Sequence, residues 1–386
     1  MTFKNILRNT SQVNLFLLLL SISILFGSCK SDIIPESNIR YSIPKYAEGY
    51  RFGVVEKCKW LECINPNTLE ILTRVVRDSS ELKILSSLYN DGIECVVVSE
   101  NKTLATLSTT HVALISEGVG LDVWAGGAFI SYLQNNEALL KVAKGLAVDL
   151  GGVPEIDKEK CVALNPSALL IYPYGDPLNG MSLNIPVIPI LEYLEPLPLG
   201  RAEWMCAIGW LVGEHKTSQI AFDKIAKEYE VLKAKVIADQ SSRPIVFTGS
   251  VKDGKWSAPG GGSLVARFIE DAGGEYMFKD GGGLENIVLD LESVMVSASK
   301  ADLWGVVVYA PKGYSIDKMM LDDARNKHLI PKSGKVFYCN TADVDYFGDL
   351  IVNPELVLRD LIALISPEVD LGYDAIGESF KWLPEK

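Results

Sequence analysis

Three histidines, His111, His215 and His328, are the whole imidazole content of this 386-residue chain. They lie far apart, and none forms a His-x-His pair or an HExxH motif, so imidazoles offer no transition-metal site. No Gly-x-Ser-x-Gly elbow occurs to anchor a serine hydrolase. The run from Gly249 to Gly254-Lys255 has most of a phosphate-binding loop. Trp256, however, stands where a Ser or Thr should hold Mg²⁺, and Pro259 and three glycines follow where a helix should open. Nucleotide binding is therefore not expected. The triglycine runs 260–262 and 281–283 lack GxGxxG spacing and read as turns. No CxxC occurs. Cys58, Cys63, Cys95, Cys161, Cys206 and Cys339 read as small buried hydrophobes. Cys58 and Cys63 could pair only if the chain turned between them, since a continuous strand would hold them ~17 Å apart. The residues supply no catalytic apparatus, and the expectation is a protein without enzymatic activity or resident cofactor.

Chemistry of another kind is available where apolar strands end. Short runs at 95–98, 104–107, 121–124, 168–172 and 187–191 alternate with helix-like spacing at 111–117 and 130–146. That alternation predicts an α/β lobe around a mostly parallel sheet. Over 217–239, Ile220, Ala221, Ile225, Tyr229, Leu232 and Val236 recur at near three-to-four spacing with no Pro or Gly between them. This predicts one continuous helix about 35 Å long. Strands resume at 245–248, 303–309 and 335–339, and Asn353-Pro354 opens a helix running to about residue 365. Two Rossmann-like lobes, 49–215 and 243–386, joined by a long helix at 216–242, form the simplest assembly.

Ligands of such lobes bind beyond the carboxyl ends of the strands. Residues just past each expected strand end are Thr110, His111, Tyr172, Tyr174, Glu192, Tyr193 and Arg201 in the first lobe. The second lobe contributes Trp256, Tyr309, Asp345, Tyr346 and Phe347. Aromatic faces with few rotors and a handful of polar groups suit a large, partly flat ligand.

The N-terminus concerns export. Lys4 and Arg8 precede an apolar run at 13–26, then Gly27-Ser28-Cys29. A charged start, a short apolar centre and small residues at its end describe a signal peptide, residues 1–28. The run is shorter than the ~20 residues of a membrane span. The cysteine after Phe26-Gly27-Ser28 resembles a bacterial lipobox, which would make Cys29 the acylated first residue, with 29–48 as a tether. Removing residues 1–28 takes two positive charges and moves the formal net charge from −12 to −14. No Lys/Arg-rich run appears, so nucleic acid is not an expected partner.

Five stretches, in order, resemble the class III periplasmic binding proteins. They are Thr109-Thr110-His111-Val112-Ala113, the segment from Glu159 through Ala163-Leu164-Asn165-Pro166-Ser167, and Glu192-Tyr193 followed by Pro198-Leu199-Gly200-Arg201-Ala202-Glu203-Trp204. Next come Trp256-Ser257-Ala258-Pro259-Gly260 with Asp271-Ala272-Gly273-Gly274, and Asp345-Tyr346-Phe347 with Asn353-Pro354-Glu355. Asn165 and Ser167 depart from the family's usual Lys and Asp. The resemblance covers roughly 94–375 and implies two α/β lobes on one long helix. It further implies a monomeric carrier of a metal chelate, a ferric siderophore first and cobalamin or haem as alternatives. Delivery would be to the membrane subunits of an ABC importer, which Glu159 and Glu292 would dock by pairing with arginines. Arg201 would then meet a carboxylate or catecholate of the chelate. The expected location is the periplasmic side of a bacterial envelope membrane, held by the lipid. A surface capture lipoprotein is the other binding reading. An enzyme on this scaffold would need Cys95, Cys161, Cys206 and Cys339 to converge.

Overall fold

The computed structural model describes residues 38–98, 101–152, 155–173, 183–238, 243–372 and 377–386. The leader and Cys29 lie outside the described residues, as does Tyr174. No helix among the described residues is long and apolar enough to cross a membrane.

The chain begins with an antiparallel meander, β1 (Arg40–Ser42), β2 (Tyr50–Val55), β3 (Cys58–Ile64) and β4 (Ile71–Val76). After α1 (Ser79–Leu88), β5 (Cys95–Val97) adds to β4 in parallel. The sequence pattern put 95–98 in the parallel lobe instead. A three-residue apolar run carries no information about which sheet edge it joins, and here β4 offers the pairing. Cys58 and Cys63 both sit on unbroken β3, and all six described cysteines are free.

The parallel sheet of the first lobe and its helices follow as β6 (Leu104–Thr106), α2 (Thr109–Val119), β7 (Trp124–Gly127), α3 (Asn136–Ala143), β8 (Val148–Asp149), α4 (Lys158–Leu164), β9 (Ala168–Ile171) and β10 (Val187–Pro189). Its sheet has the order β10-β9-β6-β7-β8, parallel throughout. Residues 121–123 form a 3₁₀ turn ahead of β7. The helix expected from 130 is split: Ile130–Tyr132 is another 3₁₀ turn, and Asn135 caps α3 by accepting from the Ala138 amide at 2.9 Å.

Helix α5 (Pro198–Leu211) is buried on all sides save Arg201, as a helix with apolar residues all round must be. It packs on α6 (His215–Ala238), whose 24 residues span ~36 Å. The buried seam of α6 runs Ser218, Phe222, Ile225, Tyr229, Leu232 and Val236. Ile220 faces solvent instead, one helical position off the seam.

Beyond α6 come β11 (Ile245–Thr248), β12 (Ser250–Lys252), β13 (Lys255–Pro259), α7 (Leu264–Asp271), β14 (Glu275–Tyr276), β15 (Asn286–Leu289) and α8 (Leu291–Ala298). Then follow β16 (Leu303–Val308), α9 (Ile316–Asp322), β17 (Val336–Asn340), α10 (Asp349–Val352), α11 (Pro354–Ile365) and β18 (Lys381–Trp382). The second lobe's sheet, β14-β11-β16-β17-β18, is parallel except for β18. A small antiparallel sheet, β12-β13-β15, sits beside it. The triglycine turns abut there: Gly261 N–H donates to the Gly281 carbonyl and Gly262 to Gly283. A Cβ at Gly260 would overlap the Gly283 carbonyl oxygen, so only glycine permits this approach. One hydrophobic core runs from Tyr50 and Trp204 through α6 to Phe337 and Leu361.

Candidate functional site

The carboxyl ends of both parallel sheets meet across a junction, and two side chains of the first lobe reach over it. Thr110 Oγ1 donates to the Phe347 carbonyl at 2.6 Å, and Gln134 Nε2 to the Thr341 carbonyl at 2.9 Å. Ser108 ends its strand connection by capping α2, which fixes where Thr110 emerges. Gln134 was not among the residues expected here. Only the unforeseen break before α3 frees it.

Around this junction the exposed rings are Tyr309 (86% exposed), Phe347 (60%) and Tyr132 (66%). Tyr132 belongs to the same unforeseen turn. Tyr172 is half-buried just past β9, and Tyr346 is half-buried beside Phe347 with ring centroids 5.1 Å apart. Burial, with help from Asp349, pushes the Asp345 carboxyl up to about 6.

Four expected mouth residues point elsewhere. Trp256 is fully buried in the second lobe, against Phe247 and Trp304, with its indole N–H donating to the Thr248 carbonyl at 3.1 Å. It lies within β13 rather than after a strand, so its ring enters the core. Arg201 donates to the carbonyls of Glu195 (3.2 Å) and Tyr193 (2.8 Å). Its guanidinium holds that loop rather than reaching out to a ligand carboxylate. His111 and Glu192 are buried and approach to 3.5 Å, yet neither ring nitrogen has a hydrogen-bond partner among the described residues.

The Pro198–Trp204 stretch has a structural task that its motif concealed. Glu203 accepts the backbone N–H groups of Lys45, Tyr46 and Ala47 at 2.9, 2.7 and 2.8 Å. Glu195 accepts those of Glu48 and Gly49, together with the Trp204 indole N–H. Two buried carboxylates thus clamp the segment leading into β2. Charge-assisted bonds to backbone amides compensate for their burial. A contact between residues about 150 positions apart leaves no periodic trace in the sequence.

Glu159 and Glu292 occupy equivalent places in the two lobes. Each is exposed in the first turn of a helix, two residues after a capping aspartate, Asp157 of α4 and Asp290 of α8. Among the described residues no three His, Cys, Asp or Glu side chains gather to hold a metal ion. Cys95 and Cys161 lie in core regions of their own, apart from the main core that holds Cys206 and Cys339.

Apposed parallel-sheet lobes backed by a long helix define a binding protein fold. The chain belongs to the periplasmic binding protein family, whose model matches residues 119–340. Family members are periplasmic solute-binding proteins that take small molecules and work with ABC transporter permeases. An uncharacterized lipoprotein of Methanocaldococcus jannaschii is 26% identical over 312 residues, 78% of this chain and 67% of the relative. A possible iron-binding periplasmic solute-binding protein from Staphylococcus epidermidis superposes with a TM-score of 0.52 at 15% identity, over 68% of this chain and 99% of that one. A periplasmic heme binding protein from Pseudomonas aeruginosa gives 0.52 at 13% identity, over 70% and 94%.

Proposed function

We propose that this protein is a solute-binding lipoprotein that captures a metal chelate, a ferric siderophore first, between its lobes and delivers it to an ABC importer. The observation that carries the reading is the set of exposed rings, Tyr132, Tyr309 and Phe347, at a junction already bridged by hydrogen bonds. Aromatic faces held on a rigid frame bind a broad ligand without a large ordering cost. The ligand's metal arrives already coordinated, so the protein needs to match only the chelate's outer surface. Haem or cobalamin would fit the same rings. The division into lobes at 49–215 and 243–386, with 216–242 between them, belongs to this proposal, as do acylation at Cys29 and the monomeric state. So does the absence of enzymatic activity.

Titration with ferric siderophores, haemin and cyanocobalamin tests the reading through quenching of tryptophan emission by the coloured ligand. One class should quench saturably, and Tyr309→Ala with Phe347→Ala should weaken it at least tenfold. Failure of all three classes to saturate would refute the proposal. For docking, exposed ion pairs worth ~0.2–1 kcal/mol each orient a complex without locking it. The double substitution Glu159→Ala, Glu292→Ala should cut uptake and leave ligand affinity intact; unchanged uptake removes the docking role.

A further inference from the structure

Beneath the junction, on the face of the second lobe's sheet that packs against α7 and α11, lies a cavity of about 200 Å³. Its depth is apolar: Val265 and Phe268 of α7, Leu361 of α11, Phe337 of β17 and Phe380 line it. Gly305 of β16 lets the Phe337 ring lie flat on the sheet at the cavity wall, since a Cβ there would stand 2.5 Å from that ring. Toward the strands' carboxyl ends the lining turns polar with Thr248, Ser250, Ser257 and Asn286. Tyr346 and Leu350 border the same space, next to exposed Phe347.

The cavity opens to solvent past exposed Ser250 and Asn286, so a group can enter it from outside. An apolar cavity of ~150 Å³ stays dry and takes benzene. This one has room for a single aromatic ring or an alkyl chain of about six to eight carbons on that scale. Its polar rim would hydrogen-bond the amide or hydroxamate from which such a group hangs. We propose that the chamber receives an alkyl or aryl appendage of the captured chelate. The proposal rests on the chelate-binding reading and narrows the ligand to amphiphilic complexes.

The chamber is tested first by calorimetric titration of the full chain with primary alcohols from butanol to decanol. Affinity should rise about fourfold per methylene until the space is filled, near six to eight carbons. Val265→Phe, which fills the chamber, should lower octanol affinity at least tenfold. Leu361→Ala, which enlarges it, should move the plateau to longer alcohols. Ferric octanohydroxamate should bind at least tenfold tighter than ferric acetohydroxamate, and Val265→Phe should erase the difference. Absence of saturable alcohol binding would overturn the proposal. So would a plateau that Leu361→Ala leaves in place, and that variant decides the matter should Val265→Phe not fold. Chelate binding without alcohol binding removes the chamber alone. Alcohol binding with no chelate of any class bound keeps the chamber and removes the chelate reading.

Discussion

Glu355 lies in the first turn of α11, where a helix's N-terminal dipole ordinarily favours a charged carboxylate. Here it is only 7% exposed, and its Oε2 has no hydrogen-bond partner among the described residues. Burial dominates and pushes the carboxyl from its ordinary 4.5 up to about 7, with repulsion from Glu228 and Glu117 adding and Lys224 opposing. The folded chain therefore holds this proton more tightly than the unfolded chain does. The resulting stability is full below the unfolded pKa near 4.5 and is lost as pH rises through about 7. At 1.36 kcal/mol per pH unit the loss comes to ~3 kcal/mol. Glu355→Gln keeps the shape and removes the ionisation. The variant should match the wild type near pH 4.5 and exceed it by ~2–3 kcal/mol at pH 8. Urea unfolding of both proteins at pH 4.5, 6 and 8 measures the difference directly. Asp345, also pushed up by burial, titrates in both proteins and cancels in the comparison. A constant offset at every pH, or a variant less stable at pH 8, would refute the reasoning.

Glu203→Ala removes the acceptor for three buried amides and should cost ~3 kcal/mol in urea unfolding. The amides of residues 45–47 should lose hydrogen-exchange protection with it, and unchanged protection would count against the clamp. Trp256 and Trp304 are comparably buried in one aromatic cluster, but only Trp256 has a partner for its indole N–H among the described residues. Trp256→Phe should therefore destabilise more than Trp304→Phe by ~1 kcal/mol in paired melts, and equal costs would contradict the assignment.

Much of the framework was legible because periodicity and local signals act over a few residues. The seam of α6 and the Pro354 helix start are cases where a 3.6-residue repeat or a fixed φ governs the outcome. Sheet membership was not legible for Cys95–Val97, since the pattern of a short strand is indifferent to its neighbour. The positions of Thr110, Tyr309 and Phe347 just past strands were readable because those strands are recognisable, while their part in binding belongs to the proposal. Trp256 went wrong because the residues after β11 turn straight into a second small sheet, placing the ring indoors. Tyr132 and Gln134 escaped notice because an apolar run suggested continuous helix where Asn135 starts a new one. The Glu195 and Glu203 clamp had no readable signal, its partners being backbone amides of a remote segment.

Because a single core passes from one lobe through α6 into the other, the molecule should melt as one body despite its bipartite topology. Its van 't Hoff and calorimetric enthalpies should then agree, and either half expressed alone would bare the surface that the other half covers. If the proposed binding role holds, such a frame would have little freedom to swing shut on a ligand. A transport partner sorting filled carriers from empty ones would then have to sense the cargo itself, at the seam, more than any change in the carrier's outline.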